Sequence, residues 1–140
     1  MYLIDANIFL EVELGQKKGE HARKLLKLFE SGKLSGYISD FHIDAIVIVM
    51  ENYDKNGKEI AIFLSSLLKY RGLSIIEISL SSKINATEIM DMYNLDFDDA
   101  LICQCMKEKN LKKLISYDAH FDDMNLKSVI EIIMDRLIPF

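Results

Sequence analysis

Short apolar runs rich in β-branched residues alternate with stretches whose apolar residues recur at helical spacing, along almost the whole 140-residue chain. Such alternation leaves few folds open, because strands separated by helices pair in parallel through right-handed crossovers. Residues 2 to 5 read as a short buried strand. Lys17 to Glu30 places Ala22, Leu25, Leu26 and Phe29 on one helical face, and Gly32 closes it. Residues 35 to 38 read as a second strand, after which Ser39 or Asp40 can cap a helix running to about Tyr53. Asn56-Gly57 breaks the chain. A further helix is expected over about Glu59 to Tyr70, and a third strand over Leu73 to Ile78. Two helices, about Ser82 to Tyr93 and Asp98 to Lys109, precede a fourth strand at Leu111 to Ser116 and a short fifth at Val129 to Ile133. The expected fold is therefore α/β, a three-layer α/β/α sandwich around a mainly parallel sheet of four to five strands.

A chain of this length that is 50% hydrophobic is the right size for a single domain over residues 1 to 140. The longest apolar run, Ala45 to Met50, is far short of the roughly 20 residues a membrane helix needs. Met1 leads straight into a strand-like segment, so neither a signal peptide nor a membrane span is expected. Cys103 and Cys105 stand two apart in a helical stretch, where their side chains diverge and a disulfide is implausible. A cytoplasmic setting fits. The net charge of -5 argues against a protein that coats nucleic acid.

Four aspartates stand where such a sheet would gather them. In parallel sheets ligands bind beyond the carboxyl ends of the strands, and Asp5 and Asp118 each lie at or just past such an end. If the first and fourth strands are neighbours, those ends are roughly 5 Å apart. Asp99 opens a helix in Asn94-Leu-Asp-Phe-Asp-Asp-Ala-Leu, and Asp44 sits in a helix that reads apolar on nearly all sides, which predicts a buried acid. Each has a plainer explanation as well: Asp5 and Asp118 as turn residues, Asp99 as a cap, Asp44 as half of a salt bridge. Together they repel. Two like charges about 5 Å apart at an effective dielectric near 20 cost roughly 3 kcal/mol, so a cluster needs a cation or protons. Oxygen donors select Mg2+, Mn2+ or Ca2+ rather than Zn2+, and no zinc-type Cys/His spacing is present. His21, His42 and His120 are scattered and read as satisfied or exposed side chains.

The set resembles the PIN-domain ribonucleases, most closely the toxin (VapC-like) branch of type II toxin–antitoxin systems. Leu3-Ile-Asp5-Ala-Asn7-Ile-Phe is similar to that family's opening Asp-Thr/Ala-Asn signature, and Ser39-Asp-Phe-His-Ile-Asp44 to its second acidic motif. Asp98-Asp99-Ala100-Leu101 resembles its Asp-Ala helix opening, and Ile115-Ser116-Tyr-Asp118-x-x-Phe121 its last motif. The family usually has Glu where this chain has Asp44. The resemblance implies Mg2+ or Mn2+ held by Asp5, Asp99 and Asp118 with Asp44 as a further ligand. Water activated by the cation would then hydrolyse an RNA phosphodiester bond. It further implies Asn7 and Ser116 as orienting residues, with Asp122 positioning a water or capping a turn. Lys17, Lys18, Arg23, Lys24, Lys27, Lys112 and Lys113 are candidates for a basic rim. A cognate antitoxin and a homodimer are the expected partners, and a PIN-like RNA-binding or protein-interaction module without catalysis is the alternative.

Overall fold

The computed structural model describes residues 1–117. Within them, β1 (Tyr2–Ile4), α1 (Ala6–Glu13), α2 (Gly19–Glu30), β2 (Gly36–Ser39) and α3 (Asp40–Asn52) are followed by α4 (Gly57–Leu67), β3 (Leu73–Ile76), α5 (Leu80–Tyr93), α6 (Phe97–Glu108) and β4 (Lys113–Ile115). The strands form one sheet in the order β3-β2-β1-β4, and every pairing is parallel. The fifth strand expected at Val129 to Ile133 falls outside the described residues.

Side chains alternate across a strand, and that period of two divides the core. Ile4, Ile38 and Ile115 turn to one face, where they pack with Phe9, Phe29, Ile46 and Phe63 from α1 to α4. Their neighbours Leu3 and Leu114 turn to the other, against Ile102, Cys105 and Met106 of α6. The sheet thus lies between two helical layers, as the element order predicts. Both cysteines are buried and neither is in a disulfide. No helix among the described residues is long and apolar enough to cross a membrane.

Most boundaries follow from capping. Ser39 accepts from the His42 backbone N–H and starts α3. Asn56, expected only as a break, is the N-cap of α4 in a reciprocal capping box with Glu59, which moves the helix start forward to Gly57. Gly72 is required by close approach, since a Cβ there would stand 1.9 Å from the Leu34 carbonyl oxygen. Helix α1 is not anticipated by the periodicity. It has only eight residues, begins immediately after Asp5, and its buried Ala6, Ile8 and Phe9 merge with the apolar strand before it.

Helix α3 corrects a second expectation. Its buried residues are His42, Ile43, Ile46 and Met50, whereas Asp44 is exposed and Ile48 is 57% exposed. Asp44 and Ile48 are one turn apart and share the outer face. An apolar sequence all round does not bury this helix on all sides, because only one side meets the sheet.

Candidate active site

Parallel register brings the ends of β1 and β4 together. Ile4 pairs with Ile115, so the residues that follow, Asp5 and Ser116, emerge side by side, and the Asp5 backbone N–H donates to the Ile115 carbonyl at 2.9 Å. Asp5 is the N-cap residue of α1, in extended backbone conformation, yet its side chain makes no capping bond. Its carboxylate instead accepts from Ser116 Oγ at 2.6 Å. Ser116 Oγ in turn accepts from Asn7 Nδ2 at 3.3 Å, and Asn7 Oδ1 accepts from the Tyr117 backbone N–H at 3.4 Å. Asn7 of α1 and Ser116 and Tyr117 just past β4 therefore form one hydrogen-bonded chain on Asp5.

Asp5 is only 8% exposed. Burial pushes its carboxyl above the ordinary carboxylate range, while the Ser116 hydrogen bond, the His42 imidazole and the Asn7 backbone pull it back and the Asp98 charge adds to the rise. Asp98 and Asp99 stand in the first turn of α6, whose N-cap Asp96 accepts from the Asp99 backbone N–H at 2.9 Å. Asp99 is half-buried, directly before the buried run Ala100 to Met106.

His42 is the site residue that sequence reasoning undervalues. It is 2% exposed, its Nε2 donates to Asp98 Oδ1 at 2.7 Å, and its Nδ1 lies against Ser39 Oγ. The expectation of a satisfied histidine holds in kind, but it does not foresee that the partner is an acid of the site. The available signal is the Ser39-x-x-His42 spacing, which puts the imidazole in the first turn beside the cap. Two residues on a helix are about 200° apart, so a chain that turns His42 inward turns Asp44 outward. Asp44 is exposed, so burial does not single it out as a site residue. Asp118, Asp122 and His120 lie outside the described residues.

The basic rim divides. Lys18 Nζ sits 4.6 Å from the centre of the Tyr117 ring, at the Ser116 end of β4. Lys112 and Lys113 precede or begin that strand, and Lys113 lies 5.5 Å from the Tyr2 ring. They belong to the amino-terminal edge of the sheet, away from Asp5. Lys17, Arg23, Lys24 and Lys27 are exposed.

Among the described residues no Lys or Arg pairs with Asp5, and no three His, Cys, Asp or Glu side chains converge closely enough to hold an ion. The donors fit a hard divalent cation in kind: a buried carboxylate held by hydroxyl and amide groups, with two further acids on the adjoining helix.

A sheet of this order with an acid at the end of β1 and acids opening α6 defines an α/β protein of the PIN type. The PIN domain family model matches residues 2–127, and the chain belongs to that family. No curated protein is similar enough in sequence to match. Among solved structures, the chain is similar to VapC20 of Mycobacterium tuberculosis, described as a toxin that cleaves the sarcin-ricin loop. The TM-score is 0.76 at 13% identity, over 92% of this chain and 98% of that one. It is also similar to a chain of a toxin–antitoxin complex from Klebsiella pneumoniae, with TM-score 0.65, 20% identity and coverage of 86% and 90%. A chain of VapBC2 from Rickettsia felis, bound to a DNA fragment from its promoter, gives 0.61, 19%, 89% and 94%.

Proposed function

We propose that this single-domain protein is a ribonuclease that hydrolyses RNA phosphodiester bonds at the Asp5 site with Mg2+ or Mn2+, and that it is the toxin of a toxin–antitoxin pair. The observation that carries the reading is Asp5: a buried carboxylate at the carboxyl edge of a parallel sheet, without a Lys or Arg partner among the described residues, held by Ser116, which Asn7 holds in turn. Family membership and the likeness to toxins of known structure support it. Asp5, Asp99 and Asp118 would hold the ion. A divalent cation there supplies an activated water at neutral pH and offsets the charge on the phosphate. The protein's part is to fix the ligands. Ser116 holds Oδ2 of Asp5, and Asn7 holds Ser116, so the carboxylate that would bind the ion is fixed in orientation. Lys18, beside Tyr117, would be the base that meets an RNA phosphate. A cytoplasmic homodimer, burying exposed apolar residues such as Leu68 and Leu80, completes the proposal.

Purified protein is expected to degrade RNA with Mg2+ or Mn2+ and not in EDTA, and Asp5→Asn or Asp99→Asn to abolish the activity. Equal activity in EDTA, or full activity in both variants, sinks the nuclease reading. The second reading, a PIN-like binding module without catalysis, is favoured by one observation: the acid of α3 faces outward and a histidine takes the inward position. RNA binding without cleavage in Mn2+ decides for it.

A further inference from the structure

His42 is bonded into both sides of the site. Its backbone N–H donates to Ser39 Oγ at 3.0 Å, and its ring meets the same hydroxyl through Nδ1. Nε2 reaches across to α6, 2.7 Å from Asp98 Oδ1 and 3.3 Å from the Asp98 carbonyl oxygen. One imidazole thus grips both the side chain and the backbone of one residue in the first turn of α6. Phe41 packs edge-on against that imidazole at 5.3 Å, and Phe97 edge-on against Phe41 at 5.6 Å, so aromatic contacts join the two helix starts beside the polar bridge.

Two adjacent acids open α6, and the bridge distinguishes them. Asp98, whose side chain is 53% exposed, is taken by His42; Asp99 is the next residue, on the same turn. Moving that turn by about one ångström would move Asp99 relative to Asp5. A polar pair with one member buried and the other half-exposed adds little to stability, but it selects one geometry.

We propose that His42 is a positioning residue: by anchoring Asp98 it sets where the first turn of α6, and with it Asp99, stands relative to Asp5. The role of Asp98 is then that of an anchor rather than a ligand. This rests on the nuclease reading for the identity of the cation, although the anchoring is a property of the metal-free protein.

Two measurements test it: amide hydrogen exchange at Ala100 and Leu101 in metal-free protein, and Mn2+ affinity by electron paramagnetic resonance. His42→Leu keeps the volume and loses the donor, whereas His42→Gln keeps an N–H near the position of Nε2. In His42→Leu, exchange at Ala100 and Leu101 is expected to rise about tenfold relative to Cys105 and Met106, and Mn2+ affinity to fall about 10- to 100-fold. His42→Gln should restore both to within about threefold of wild type. If His42→Leu does not fold, Asp98→Ala cuts the same bond from the exposed side and should give the same loosening. Unchanged exchange overturns the proposal, as does equal loosening in His42→Leu and His42→Gln. Should wild type bind no Mn2+ while exchange responds as expected, the anchoring stands and the metal reading fails.

Discussion

Among single residues, Asp5 differs from an ordinary strand-end aspartate in what surrounds it. An exposed Asp at a helix start would cap the helix; this one is buried and turned to Ser116. Removing a group that orients a ligand usually costs 10- to 100-fold in metal affinity. Ser116→Ala is therefore expected to weaken Mn2+ binding by about that factor, and Asp44→Ala, on the exposed face of α3, to change it by less than about twofold. Titration of both variants with Mn2+ checks this. A large loss in Asp44→Ala would return that acid to the site. Motif spacing alone points to Asp5, Asn7 and Ser116, which the structure joins by hydrogen bonds. Asp44 is not legible in the same way, because apolar content along a helix is not burial: Ile48, on the same face, is itself exposed.

Between elements, α5 and α6 are tied by a polar clasp at the far end from the site. Ser82 Oγ donates to Glu108 Oε1 at 2.5 Å and Gln104 Nε2 donates to the same oxygen at 2.9 Å. These two bonds hold the Glu108 carboxyl below its ordinary value of 4.5. Because the folded value is the lower one, the stabilisation is fully present above 4.5 and is lost as pH falls through the folded value. Ser82→Ala should thus be less stable than wild type at about pH 7, with the gap narrowing at about pH 3. Urea unfolding at the two pH values measures it, and a gap independent of pH would mean the clasp is not ionic. The helices after α3 are legible but their starts fall one or two residues earlier than periodicity places them, because Asn56, Ser79 and Asp96 act as caps. Helix α1 is not, because eight residues that continue an apolar strand carry too little periodicity to separate from it.

For the molecule as a whole, the site exists because β1 and β4 are neighbours in register, which joins Asp5 to Ser116 across 111 residues of sequence. A ligand that binds only the folded arrangement stabilises it in proportion to its affinity. Saturating Mn2+ should accordingly raise the melting temperature of wild type by several degrees and that of Asp118→Asn by clearly less. Identical shifts by calorimetry would count against a site shared between the two ends of the chain.

Alternation, capping residues and motif spacing are local properties of the chain, and they suffice for the layered α/β architecture, the parallel sheet and the candidate acids. Which side chains meet is a different matter, settled by long-range packing. Strand order placed Ser116 on Asp5, and the rotation of α3 turned His42 inward and Asp44 to solvent. That rotation depends on which side of the helix the sheet covers, and a uniformly apolar run of residues does not encode it.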